Sequence, residues 1–539
     1  MKKSEIKKYV SAKLARMNND QKSLFNDMQT NDKLQICIPT GAGKGFLMIA
    51  DILNQVANTD NKIFAVATHR LMLNNQHFND IFNILTPLIG KVGFIFVGSS
   101  KYDTKKLQED TNLNKALLTA KLSFNEIIST TTIRKEVDEI VQEHLKKGRK
   151  VIILSTYHSL HTLKNLDIDS LYPDEAHTLA SVEDESKFRE NFEQIKYKRC
   201  LFFTATPKDC NDEETEAFLM NNEDIFGARI GLSFKHCVNM GYITRPIVHV
   251  AEPSNLCINY NFDSVENMAI FVRESFEAHK NFLKESSVAP DKIAPKILVK
   301  CSGVPMMWKI YNSLVGKMGD VKICAGASAF NPEINFQHFI DNEGIKSRSE
   351  YLEKLVDLDD NQSAIVLHYD TMSEGINVSG FTATMFLNGK LGSLPKILQN
   401  TGRSTRLHPE DRANLINGSI STADYSKWIK PNCYVIVPYW DNESEASAKE
   451  IASKIRALRD NFNYEPDFKV SVGSDIGDST KTPEPEGLNV NGPKEPKYKL
   501  IEDIKHHIDK MDQDAINLSE QMAINGLSVE EWFNLANDL

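Results

Sequence analysis

The stretch Pro39-Thr40-Gly41-Ala42-Gly43-Lys44-Gly45 (PTGAGKG) follows an apolar run, Leu34–Pro39, and leads into a helical pattern over Gly45–Ala57. Strand, glycine-rich turn and helix are the context a phosphate-binding loop requires. Glycines let backbone N–H groups close around phosphate oxygens, a helix start favours an anion, and a lysine placed like Lys44 reaches the outer phosphate oxygens. The usual pattern ends Gly-Lys-Ser/Thr, with the hydroxyl on Mg²⁺, and here that place is Gly45. A plain glycine-rich turn would read the same way in isolation, so the rest of the chain must decide.

Short apolar runs rich in Ile, Val and Phe recur at Lys62–Ala67, Val92–Val97, Lys150–Ser155 and Arg199–Thr204, with helical patterns such as Leu71–Leu85 between them. Each run is too short to bury itself as a helix, and each is bounded by turn residues. A second series follows at Lys296–Cys301, Val321–Ala325, Ala364–Tyr369, Ala383–Leu387 and Cys433–Pro438. Strands alternating with helices imply parallel sheets covered on both faces, so the fold class is α/β with two tandem domains. The length of 539 residues agrees, since it exceeds one ordinary core.

With 41% hydrophobic and 25% charged residues the composition is that of an ordinary globular protein. No apolar run is long enough to span a membrane, and the basic N-terminus lacks the apolar core of a secretory signal, so an intracellular, cytoplasmic protein is expected. The eight cysteines are scattered without a Cys-x-x-Cys pair and read as reduced structural residues. A net charge of −10 argues against a surface coated for non-specific nucleic-acid binding, while leaving room for a locally basic groove.

Residues 101–149 are highly charged and read as a helical insertion ending in Lys146-Lys147-Gly148-Arg149-Lys150. Residues 471–497 are rich in Gly, Pro, Ser and Asp and read as a disordered linker, reached through a helical extension over 441–470. Beyond it, 498–539 recovers a helical apolar period and reads as a small helical tail suited to a protein partner. There, His506-His507 with Asp509 fits an exposed helical face better than a metal site, and Trp532 fits helix docking better than base stacking.

Three further stretches carry chemistry. Asp174-Glu175-Ala176-His177 follows the apolar stretch Asp167–Tyr172. Adjacent carboxylates at a strand end divide the labour of nucleotide hydrolysis: Asp174 would take Mg²⁺ and Glu175 would polarise the attacking water. Leu201-Phe202-Phe203-Thr204-Ala205-Thr206 is a strand leading into small hydroxyl residues. Gln399-Asn400-Thr401-Gly402-Arg403-Ser404-Thr405-Arg406 sets two arginines three apart, on one face of an expected helix, where they could meet a γ-phosphate from another domain.

Taken together, these stretches resemble the DEAH-box helicases and translocases of superfamily 2 over roughly residues 15 to 440. Gln21 sits where that family reads adenine. Thr68, His69 and Arg70, and likewise Thr156 and Tyr157, resemble its two segments that hold a nucleic-acid backbone. Gly241-Tyr242-Ile243 resembles the exit from its first motor domain, and Met372-Ser373-Glu374-Gly375-Ile376-Asn377 its second-domain motif that contacts nucleotide and strand. The segments Ser155–Leu160 and Gly241–Ile243 look most like restriction-enzyme motor subunits and phage or large-virus DNA helicases.

The resemblance implies two RecA-like domains, 1–245 and 246–440, with ATP and Mg²⁺ in a cleft between them. Lys44, Asp174 and Glu175 with Arg403 and Arg406 are then catalytic. Gln21, Thr40, Gly41, Ala42, Gly43, Gly45, Gly375, Asn377 and Gln399 hold nucleotide. His177, Thr204 and Thr206 couple nucleotide state to strand grip. Loss of the hydroxyl at Gly45 removes one of about six Mg²⁺ ligands, a vacancy that water can fill, so an active ATPase is expected. Ile38, where the family keeps a small residue, is a second departure. DNA is the expected track, with an RNA helicase or an ATP-gated binding module of weak hydrolysis as the alternatives.

Overall fold

The computed structural model describes residues 3–69, 71–98, 108, 110–180, 187–209, 219–252, 264–327, 361–369, 380–387, 401–422, 424–439, 449, 451–453, 455–456, 459, 467–472 and 503–516. They divide into two compact units, one running to Tyr242 and one starting at Ile243. The expected residues Arg70, Gly375, Asn377 and Gln399 lie outside the described residues, as do Trp532 and the linker beyond Val472.

The first unit is built on strands β1 (Lys33–Cys37), β2 (Ile63–Thr68), β3 (Val92–Val97), β4 (Ile128–Thr131), β5 (Lys150–Thr156), β6 (Asp167–Pro173), β7 (Lys196–Thr204) and β8 (Ala228–Gly231). They form one sheet in the order β4-β3-β5-β2-β6-β7-β1-β8. Every pairing in it is parallel. Its central strands are buried on both faces, which is why they read as unbroken apolar runs. Helices α1 (Lys3–Leu14), α2 (Asn19–Thr30), α3 (Lys44–Asn58) and α4 (Leu71–Leu85) belong to this unit. A capping box starts α2: the Gln21 backbone N–H donates to Asn18 Oδ1, while Gln21 Oε1 accepts from the Asn18 backbone.

The second unit carries β9 (Arg245–Glu252), β10 (Lys296–Lys300), β11 (Lys322–Ala327), β12 (Ala364–Tyr369), β13 (Ala383–Phe386), β14 (Asn432–Pro438) and β15 (Asp467–Val472). The order is β11-β12-β10-β13-β14-β9-β15, again with parallel pairings throughout. The α/β class with two tandem parallel sheets is therefore as expected.

Four strands depart from the sequence reading. β4 lies inside the stretch 101–149 expected to be helical, where it pairs with β3 between the helices Phe124–Ile127 and Arg134–Lys146. β8 and β9 were not anticipated, and β15 replaces the end of the helical extension expected over 441–470, running two residues into the expected linker. In the tail, 503–516 is helical, with His506 and Asp509 exposed as expected. The six described cysteines, Cys37, Cys200, Cys237, Cys301, Cys324 and Cys433, are free thiols. Among the described residues no helix is long and apolar enough to cross a membrane.

Candidate active site

Parallel sheets collect chemistry at the carboxyl ends of their strands, and five adjacent strands of the first sheet, β5-β2-β6-β7-β1, all end in a segment singled out by sequence. The phosphate loop leaves β1 after Ile38, whose N–H donates to the Thr204 carbonyl at 3.0 Å and ties the loop to the end of β7. Gly41 and Gly43 have φ of 91° and 104°, values that favour glycine, and Gly43 opens α3. A Cβ on Gly43 would also lie 2.3 Å from Gln21 Nε2, whereas one on Gly45 would meet nothing within 4 Å.

Lys44, the first residue of α3, points back across the loop. Its Nζ lies 2.8 Å from Asp174 Oδ1 and 2.9 Å from Glu175 Oε1. Burial alone would lower its pKa, but the two carboxylates outweigh burial and hold the ammonium above its ordinary range. Burial pushes the other way on Asp174, and there Lys44 and His77 prevail, keeping the carboxyl well below the usual carboxylate range. His77 Nε2 stands 2.9 Å from Asp174 Oδ2. The Asp174 backbone is fixed twice, its N–H donating to Ala67 O at 2.8 Å and its carbonyl accepting from the Tyr157 hydroxyl at 2.7 Å. Glu175 takes a left-handed backbone, φ 53° and ψ 46°, which turns the chain sharply off β6.

From Glu175 a second chain of contacts runs to β7. His177 Nδ1 lies 3.5 Å from Glu175 Oε2, 3.0 Å from Thr204 Oγ1 and 3.5 Å from Thr206 Oγ1. The Thr206 N–H also donates to Thr204 Oγ1 at 3.1 Å. The residues expected to couple nucleotide to strand thus touch one another.

Other expected residues stand differently. Gln21 has its carboxamide engaged, Oε1 in the capping box and Nε2 donating to Ala42 O at 3.4 Å, so it borders the loop. Thr68, Thr156 and Tyr157, expected on a nucleic-acid backbone, are buried. Their hydroxyls are used internally, on Asn74 Oδ1 at 2.8 Å, Ser159 Oγ at 3.2 Å and the Asp174 carbonyl. His158, the residue after Tyr157, is exposed.

In the second unit Arg403 is buried in the helical stretch 401–404, but Arg406 lies beyond its end, so the two arginines do not share a helix face. The carbonyls that would continue the helix are claimed elsewhere. Lys430 Nζ donates to Ser404 O at 2.8 Å and Arg406 O at 2.7 Å, and the Thr244 N–H donates to Thr405 O at 2.8 Å. No sequence signal marked Lys430 or His77. For His77 the available hint was a polar pair, Asn74 and His77, one turn apart on a helix whose Leu73, Phe78 and Ile81 are buried.

Among the described residues no group of three or more His, Cys, Asp or Glu side chains could cage a metal. A single buried carboxylate beside a phosphate loop still fits Mg²⁺, which takes few protein ligands and keeps its waters. Residues 18–214 match the DEAD/DEAH box helicase family. That match covers the strands and loops that carry the site in the first unit.

No curated protein matches the chain in sequence. Among solved structures, the ATP-dependent Type ISP restriction-modification enzyme LlaBIII bound to DNA is similar at 15% identity and a TM-score of 0.55, over 86% of this chain and 32% of its own. The chain thus spans about a third of that relative's length. A fragment of an HsdR subunit of a type I restriction enzyme from Vibrio vulnificus YJ016 is similar at 16% identity and a TM-score of 0.44, over 86% of this chain and 68% of its own.

Proposed function

We propose that this chain is a helicase-type, DNA-dependent ATPase that converts nucleotide turnover into movement along a strand. The observation that carries the reading is the placement of Lys44 against both Asp174 and Glu175. An ammonium held between two carboxylates is a ground state for the nucleotide-free site. An incoming triphosphate competes for the ammonium, and its departure frees both carboxylates at once.

In this reading the N–H groups of residues 40–45 and Lys44 bind the phosphates, and Gln21 adjoins the base. Asp174 holds Mg²⁺, which when bound neutralises charge on the outer phosphates. Glu175, released from Lys44, orients the attacking water and accepts its proton. His177 senses the Glu175 carboxylate and passes its position to Thr204 and Thr206. Arg403 and Arg406, with Gly375, Asn377 and Gln399, complete the nucleotide's surroundings in this reading. DNA is preferred because LlaBIII, whose fold this chain shares, is bound to DNA.

Phosphate release measured with no polymer, with single-stranded DNA and with single-stranded RNA tests the proposal. DNA should raise the rate at least tenfold and Lys44→Ala should abolish it. A rate indifferent to DNA removes the motor, and stimulation by RNA alone reassigns the track.

A further inference from the structure

The histidine beside the metal-bearing carboxylate is absorbed by nothing in the nucleotide reading, on which the following rests. We propose that His77 is a positioning residue that pins one oxygen of Asp174, so that the other alone passes between the Lys44 ammonium and Mg²⁺.

The geometry supports this from several sides. A carboxylate accepts hydrogen bonds and donates none, so the 2.9 Å contact to Asp174 Oδ2 needs a hydrogen on His77 Nε2. His77 Nδ1 is buried and has no hydrogen-bond partner among the described residues, so the ring serves Asp174 alone. Its orientation comes from packing, since His77 is 4% exposed and its helix neighbours Phe78 and Ile81 are buried with it. One turn earlier Asn74 accepts from Thr68 Oγ1, so α4 is pegged to the strand ends at two points.

A carboxylate hung on a single bond turns easily about it, because the last torsion of Asp is broad. Here backbone bonds from Ala67 and Tyr157 fix where Asp174 starts, and His77 fixes where Oδ2 ends. Only Oδ1 remains, and it faces Lys44. The arrangement matters more in this chain than in one with a hydroxyl after the lysine, because Gly45 supplies no side-chain ligand. Removing partners that orient a metal ligand typically costs about 10- to 100-fold in metal affinity.

The test titrates Mg²⁺ into the full chain holding a fluorescent ADP analogue and follows the analogue's affinity, a readout independent of turnover. His77→Gln keeps an amide donor at the reach of Nε2, and His77→Asn places it at the position of Nδ1, out of reach. The Asn variant should raise the Mg²⁺ half-saturation about tenfold and leave metal-free analogue affinity within about twofold. The Gln variant should stay within about twofold of the parent. Equal effects of Asn and Gln, or a loss of metal-free binding as large as the loss of Mg²⁺ dependence, would overturn the proposal. Should the Asn protein not fold, the Gln protein decides: a tenfold rise in its half-saturation overturns the proposal and a parental value upholds it. If the parent chain binds no analogue at all, the nucleotide reading itself has failed, an outcome separate from any effect of His77.

Discussion

Gly45 is a residue whose neighbours leave room for what it lacks. A Cβ there meets nothing within 4 Å, and the position lies in the first turn of α3. Gly45→Thr should therefore lower the Mg²⁺ half-saturation of ATP hydrolysis several-fold by returning a ligand. Gly45→Ala should leave it unchanged while adding up to about 0.5–1 kcal/mol of stability, because glycine costs that much inside a helix. Equal Mg²⁺ curves for Thr and parent, read by phosphate release, would mean that water already serves as well. Lys44→Ala tests the opposite case, in which a charge is removed from a partly buried trio. Hydrolysis should vanish, and two carboxylates left without their cation should cost about 3 kcal/mol at pH 7. Asp174 has a depressed folded-state value, so its contribution to stability is present above the ordinary carboxylate range and lost as pH falls. The Lys44→Ala deficit in urea melts should accordingly hold steady from pH 7 to about pH 5 and shrink only as pH falls below about 4, the ordinary carboxylate range. At this scale the legible residues were those whose chemistry is local in sequence: loop glycines with Lys44, the pair Asp174-Glu175, and Thr204 with Thr206. His77 was not legible because its partner lies on another element and a histidine in a helix carries no mark of what it faces.

Elements are held under the site by a second buried set. Asp51 on α3 accepts from Arg199 NH1 on β7 at 2.6 Å, from the Tyr172 hydroxyl on β6 at 2.8 Å and from Gln29 Nε2 on α2 at 2.7 Å. Arg199 also donates to the Met28 carbonyl. Asp51 is fully buried, so Arg199→Met should destabilise the first unit by about 3–5 kcal/mol, the cost of leaving a buried charge unpaired. The double change Asp51→Leu with Arg199→Met should recover most of that loss in thermal melts, whereas additive losses would show that packing rather than charge decides. Element identity was legible wherever both faces of a strand are buried, since such strands read as continuous apolar runs. β4, β8 and β15 lie at sheet edges and carry polar or small residues, as in Ile128-Ser129-Thr130-Thr131, so alternation and apolarity both faded there. β9 lies inside its sheet, but Pro246 near its start and His249 at its middle broke the pattern. That histidine is buried opposite Ser471 of β15, a pairing across more than two hundred residues that no local window contains.

The second unit of the molecule should lose stability in acid, because burial opposes the protonation of three of its histidines. Burial, with Lys469 nearby, lowers His249 to about 3. Burial, with Lys300 and Arg403, lowers His368 to about 3. Burial, with His249 and Lys430, holds His279 well below its ordinary range. An unfolded histidine takes its proton near pH 6.5. Below that pH the unfolded chain therefore binds protons that the folded unit refuses, and stability falls as pH falls through the window from about 6.5 to 3. Each histidine contributes a slope of up to about 1.4 kcal/mol per pH unit. In the first unit burial likewise lowers His144, whereas depressed carboxylates such as Asp174 and Asp169 give way only at lower pH, below the ordinary carboxylate range. Fluorescence can isolate the effect, because all four tryptophans, Trp308, Trp428, Trp440 and Trp532, follow Tyr242, and Trp428 is fully buried. The tryptophan-detected melting temperature should drop steadily from pH 7.5 to pH 5, and His249→Asn should flatten that drop. A melting temperature constant over this range would mean that the three rings accept protons in the folded state, which their burial beside Lys300, Arg403, Lys430 and Lys469 opposes.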